Sequence, residues 1–242
     1  MVQSKHVVFD IVGTLTSFDA FYDGIEHTIG NRLASQNLNS RLFGYSWMTA
    51  AELEFTFLSV AEGYKPYKEI LRALFFRTLH MAGVENPHQF ATAEERDQLV
   101  QSYSELELRP GTKECFDILR DAGFTIWCLT TGDAQRVAGY FERSAVDMPP
   151  NNIVSCDKSG LAKPSLAVYR SMFERFASND IKFFAAAHMW DVSAAVKVGF
   201  LGAYCSILEK EPCEEIFETK MEVSSSSLPH LANEIVAKAS EY

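Results

Sequence analysis

The 242-residue chain has no CxxC pair, and its five cysteines, Cys115, Cys128, Cys156, Cys205 and Cys213, are an odd number. This argues against a closed disulfide framework, and a reducing intracellular compartment is expected. No Lys/Arg cluster occurs, and 32 acidic residues outweigh 22 basic ones for a formal net charge of −10, so nucleic acid is not an expected partner. No apolar run reaches the length of a bilayer span and the N-terminus has no secretory pattern, so a soluble, cytoplasmic protein with no membrane partner is expected. Internal repeats and long low-complexity segments are also lacking. What is present is ordinary globular composition, 47% hydrophobic with 18 Phe, enough for a sizeable core. The acidic balance still allows a small anionic substrate, because a few local donors reverse the field inside one pocket.

The most informative stretch is His6-Val-Val-Phe-Asp-Ile-Val-Gly-Thr-Leu-Thr16. Val7, Val8 and Phe9 read as a short buried strand, with Asp10 where the strand stops, Gly13 for a sharp turn and Thr14 supplying a hydroxyl. Taken alone, Asp10 suits a turn or helix cap as well as a reagent. After it comes a helical stretch, 18–37, with Phe21, Ile25, Ile29 and Leu33 on one stripe. Helices over 47–61 and 67–81 follow, the latter facing Ile70, Leu71, Leu74, Phe75 and Leu79 inward, and then a polar segment over 94–108.

From Arg109-Pro-Gly-Thr the pattern changes to helix-strand alternation: a helix to 122, strand 124–129, helix to 144, strand 152–155, a helix after Lys163-Pro164, strand 183–186, a helix, and strand 201–205. Ser224-Ser-Ser-Ser227 reads as a polar loop before a terminal helix bearing Leu231, Ile235 and Val236. This is an α/β, doubly wound, mainly parallel sheet (residues 1–16 and 109–242) interrupted by a helical cap (17–108). Asp10, Thr130 with Thr131, Lys163 and Asp191 all fall at strand ends, which lie on one edge of a parallel sheet, so one active site is expected there.

At these residues the chain resembles the haloacid dehalogenase superfamily. The resemblance rests on Asp10-Ile-Val-Gly-Thr-Leu15, Leu129-Thr-Thr-Gly132, Lys163-Pro164 with Tyr169, and Trp190-Asp191 followed by Ala194-Ala195 and Gly199-Phe200. It is closer to the 2-haloacid dehalogenases, whose cap looks like Leu53-Glu-Phe-Thr-Phe-Leu58. It implies a Rossmann-like core and a hydrolase in which Asp10 attacks a saturated carbon of a small carboxylate substrate. The resulting aspartyl ester is then hydrolysed by water. It implies further that Lys163 is the cation beside Asp10, that Thr14 and Thr130 donate to Asp10 or to a substrate carboxylate, and that Asp191 orients water or holds Lys163. Asp191 also suits the N-cap of the following helix. Substrate contact is expected from Ile11, Val12, Thr131, Tyr169, Trp47 and Thr49, although Trp47 and Tyr169 suit a core as well.

The chain departs from its relatives at informative places. Superfamily phosphatases carry a second Asp at the position of Val12 and an acidic ligand at that of Ala187, so magnesium is disfavoured and no cofactor is expected. Dehalogenases generally have tyrosine at the place of Val12, asparagine at that of His188, and a halide-receiving cap arginine at that of Thr49. His188 lies three positions before Asp191 and can move a proton near neutral pH. It is therefore included among the catalytic candidates, and hydrolytic opening of a strained nitrogen ring, an azetidine- or aziridine-carboxylate, stands as an alternative. A magnesium-dependent phosphatase and a non-catalytic binding module are the other readings. Cap aromatics leave a homodimer contact open.

Overall fold

Short apolar runs become the strands of a parallel sheet in the computed structural model, which describes residues 3–158 and 160–242. In chain order the strands are β1 (Lys5–Phe9), the two-residue β2 (Thr16–Ser17) and β3 (Glu107–Leu108), β4 (Phe124–Thr130), β5 (Ile153–Ser155), β6 (Ile181–Ala186), β7 (Leu201–Cys205) and β8 (Val223–Ser225). Six of them form one sheet in the order β5-β4-β1-β6-β7-β8, with parallel pairing throughout. The chain divides into two compact units, one made of the segment up to Ser17 with Leu108–Tyr242, the other Phe18–Glu107.

The second unit is helical: α1 (Asp19–Ile25), a π turn (Glu26–Gly30), α2 (Asn31–Ser35), α3 (Ser40–Val60), α4 (Tyr67–Met81), α5 (Pro87–Phe90) and α6 (Ala93–Ser104). Phe21, Ile25, Ile29 and Leu33 are all buried, so the stripe survives the π turn within it. Asn39 caps α3 by accepting from the Leu42 N–H, and Thr92 with Glu95 forms a capping box on α6. The polar segment over 94–108 is helical only to Ser104.

The sheet unit contains α7 (Thr112–Asp121), α8 (Ala134–Arg143), α9 (Leu166–Phe173), α10 (Met189–Val196) and α11 (Leu228–Ala239). Val7, Val8, Phe9, Phe183 and Phe184 are fully buried in adjacent strands. Each such side chain contributes roughly 1.5–3 kcal/mol of transfer free energy. The serine run differs from the expected loop: Val223–Ser225 is strand β8, paired with Ala203, Tyr204 and Cys205. Ladder bonds are made by backbone, so polar side chains are tolerated at that sheet edge.

The topology gives β1 its importance. From β1 the sheet builds to one side through β4 and β5, then to the other through β6, β7 and β8. Strand order therefore reverses at β1, and ligands of open α/β sheets bind beyond the carboxyl ends at such a reversal. Asp10 is the first residue past that end, its N–H donating to the Ala185 carbonyl of β6 at 3.0 Å.

Candidate active site

Asp10 is held from both oxygens. Thr14 Oγ1 donates to Asp10 Oδ2 at 2.6 Å and accepts from the Ala187 N–H at 2.8 Å. A hydroxyl has one proton, so the bond from Ala187 leaves that proton for the carboxylate. The turn brings Thr14 there: the Ile11 carbonyl accepts from the Leu15 and Thr16 N–H groups. On the other side Lys163 Nζ donates to Asp10 Oδ1 at 3.0 Å and to Asp191 Oδ2 at 2.8 Å, and the Tyr169 hydroxyl donates to Asp191 Oδ1 at 2.5 Å. Lys163 comes from the loop between β5 and α9, Tyr169 from α9, and Asp191 from the first turn of α10.

These groups are buried, Lys163 2% and Asp191 0% exposed, so their charges act through little water. Burial alone would push Asp10 up. Lys163, His188 and Thr14 together overcome it and hold the carboxyl well below the usual range, so Asp10 is ionised at neutral pH. Burial likewise works against the Lys163 cation, but Asp10 and Asp191 raise it above the ordinary lysine range. Burial raises Asp191, assisted by the charge of Asp10 and opposed by Lys163 and Tyr169. Burial and Asp191 raise the Tyr169 phenol, which stays a neutral donor.

His188 approaches Asp10 from the third side, Nδ1 lying 3.5 Å from Oδ2, with the imidazole against the Trp190 ring at a centroid distance of 5.5 Å. His188 is the N-cap residue of α10, yet its side chain does not cap; Glu209 accepts from the Met189 N–H at 3.0 Å instead. Gly13 makes room for the ring: its φ is +88°, and a Cβ there would lie 2.7 Å from His188 Cε1 and 2.9 Å from Leu208 Cδ2. Gly13→Ala combines backbone strain with a clash against the imidazole, so we expect about 1–3 kcal/mol lost in chemical denaturation, together with a displaced His188 ring NMR signal. An unshifted signal would contradict the packing.

The remaining candidates fall differently from expectation. Thr130 is buried and its hydroxyl accepts from the Gly132 N–H at 3.0 Å; it shapes the loop after β4, and no bond from it to Asp10 is seen. Ser155, at the end of β5, donates to the Gly132 carbonyl at 2.7 Å and braces the same loop. Thr131 and Val12 are half-buried, whereas Thr49 is exposed on α3. Three expected substrate contacts have buried side chains. Ile11 has a fully buried side chain, Tyr169 is buried on Asp191, and Trp47 lies in the helical core among Phe21, Phe43 and Phe75 with its indole N–H on the Leu71 carbonyl at 2.8 Å. The N-cap reading of Asp191 is corrected too, since its own N–H already donates to the His188 carbonyl within the helix.

Sequence reasoning missed Ser155, Glu209 and Arg109, whose guanidinium donates to the Gly13 carbonyl at 3.1 Å. The strand-end rule that found Thr130 reaches Ser155 as well. Glu209, in the loop after β7, carries no sequence signal. A hard divalent cation does not suit these residues: Val12 and Ala187 bring no carboxylate, and the Lys163 ammonium already bridges Asp10 and Asp191. Among the described residues no group of three or more His, Cys, Asp or Glu is spaced to hold a metal ion. No described helix is long and apolar enough to cross a membrane.

The family model described as haloacid dehalogenase-like hydrolase matches residues 4–199. The chain is 26% identical over 147 residues to (S)-2-haloacid dehalogenase 4A of Burkholderia cepacia, a match spanning 60% of this chain and 64% of that enzyme. It is 22% identical over 230 residues to (S)-2-haloacid dehalogenase 1 of Pseudomonas sp. (strain CBS-3), covering 93% and 94%. Among solved structures, the L-2-haloacid dehalogenase of Xanthobacter autotrophicus with chloropropionic acid covalently bound superposes with a TM-score of 0.75 at 17% identity, covering 96% of this chain and 98% of that one.

Proposed function

We propose that this chain, which belongs to the haloacid dehalogenase-like hydrolases, displaces halide from small (S)-2-haloalkanoates by way of an ester on Asp10. The observation that carries the reading is the environment of Asp10: Lys163 at 3.0 Å and Thr14 at 2.6 Å keep a buried carboxylate ionised at the switch point of the sheet. An ionised carboxylate is a nucleophile, whereas a protonated one is not. Attack from the rear on the halogen-bearing carbon breaks the carbon-halogen bond, the halide leaving with its electron pair. Water then adds to the Asp10 carboxyl carbon and releases the 2-hydroxy acid. The stereocentre inverts in the first step and is untouched in the second, so the product is inverted overall.

The names of the relatives favour dehalogenation over ring opening, phosphoryl transfer or binding alone. The roles follow from position. Lys163 balances Asp10, Asp191 and Tyr169 hold Lys163, and Thr14 orients Asp10. The five free thiols suit a cytoplasmic setting.

The test is turnover of (S)-2-chloropropionate in the presence of a chelator. We expect chloride and (R)-2-hydroxypropionate in equal amounts, with the (R) substrate left unconsumed. Phosphate released from a phosphomonoester only with magnesium, and no chloride from either enantiomer, would overturn the assignment.

A further inference from the structure

Resting on that reading, the second half-reaction needs a group that takes a proton from water beside the Asp10 carboxyl carbon. Asp191 is badly placed for it. Its Oδ1 accepts from Tyr169 and its Oδ2 from Lys163, and it has no exposed surface. His188 has the opposite properties. Nδ1 is buried, has no hydrogen-bond partner among the described residues, and points at Asp10 Oδ2 from 3.5 Å, while the side chain as a whole is 22% exposed. The ring is relieved of capping because Glu209 serves the helix N-terminus, and Gly13 leaves the space it fills.

We propose that His188 is the base of ester hydrolysis, and that its charge follows that of Asp10 through the catalytic cycle. In the free enzyme an imidazolium faces three carboxylates, Asp10 after β1, Asp191 on α10 and Glu209 after β7, with Lys163 on the far oxygen of Asp10. Burial lowers its affinity for a proton, but the nearby carboxylate of Asp10, with the charges of Asp191 and Glu209, raises it overall. Ester formation makes Asp10 neutral. The main opponent of burial is then gone, and the imidazolium loses its proton to solvent.

The neutral ring then accepts a proton from the water whose oxygen adds to the carboxyl carbon. The tetrahedral intermediate collapses, the departing alkoxide takes that proton from His188, and the carboxylic acid left on Asp10 returns its own proton to the ring. Carboxylate and imidazolium are restored, with one water consumed and one halide and one proton released per turnover. The asparagine that the resemblance places at this position can hold a water but cannot accept its proton.

The experiment is rapid quenching of single turnovers of (S)-2-chloropropionate from pH 5 to 9, with the ester followed as added mass on the intact full-length chain. It is run on the natural protein, on His188→Asn and on His188→Gln. We expect both variants to form ester but hydrolyse it roughly 10²–10⁴-fold more slowly, so that ester accumulates. Hydrolysis by the natural protein should slow as the pH falls, whereas in the variants it should lose that dependence. Hydrolysis at the natural rate and with the natural pH profile in either variant overturns the proposal. An ester never seen on the natural protein, in the absence of chloride release, overturns the displacement reading and this one with it.

Discussion

Asp10→Asn should form no ester and turn over no 2-haloacid, with kcat falling by about 10⁴-fold or more, in the range seen when an enzyme loses its nucleophile. The fold should survive. The amide oxygen still accepts from Lys163 in the place of Oδ1, the amide nitrogen takes the place of Oδ2 beside Thr14, and Lys163 keeps its 2.8 Å bond to Asp191, so no cation is stranded. Steady-state chloride release and a thermal melt together check the point. A variant that is folded and inactive is the expected outcome, and one that keeps turnover would remove Asp10 from the chemistry.

Lys163→Met should be worse for the molecule, because it strands two carboxylates. Asp10 and Asp191 meet through the ammonium, at 3.0 and 2.8 Å, with Asp191 fully buried and Asp10 only slightly exposed. Removing one member of a buried ionic group costs about 3–5 kcal/mol, chiefly because the partners remain charged and uncompensated. Part of that loss is relieved by protonation, which also takes the nucleophile away. Activity at neutral pH should therefore be lost together with stability, and the variant should regain some stability in acid.

The natural pair behaves oppositely. Asp10 is depressed when folded, so its stabilisation is present above the ordinary carboxylate range and is lost only as the pH falls through its lowered value. Lys163 is raised when folded, so its share is present below the ordinary lysine range and is lost as the pH rises through its higher value. Urea melts of the natural protein and the variant across that window read both effects. A variant with natural stability throughout would show that the ammonium is not what holds the cluster.

Much of this was legible in the chain itself. Apolar runs such as Val7-Val8-Phe9 and Phe183-Phe184 are too short for helices and too continuous for a half-exposed sheet, so a parallel, doubly covered sheet followed. Once the sheet is parallel, Asp10, Thr130 and Asp191 fall along one edge by topology alone. Side-chain direction was not legible. The resemblance makes Tyr169 an active-site residue, and the fold turns its hydroxyl onto Asp191, a buried partner that periodicity does not reveal.

Thr130 shows the same ambiguity: a hydroxyl at a strand end can serve a ligand or its own loop, and here it accepts from the Gly132 N–H. Asp191 was ambiguous because caps and first-turn residues differ by a few positions, and only the hydrogen bonds distinguish them. Glu209 was invisible because its role depends on where the loop after β7 passes His188. The serine run became a strand because the ladder asks for backbone rather than for apolar side chains.

The central claim is that the oxygen delivered to the product passes through Asp10. It is tested most directly by one turnover of (S)-2-chloropropionate in heavy-oxygen water with the protein in excess, followed by mass analysis of the peptide containing Asp10 and of the 2-hydroxypropionate. We predict the label in the Asp10 carboxyl and unlabelled oxygen in the product hydroxyl, because water adds to the carboxyl carbon after the old oxygen has bonded to substrate. Label in the product alone, with the Asp10 peptide unlabelled, would mean that water attacks the substrate directly and would contradict the account.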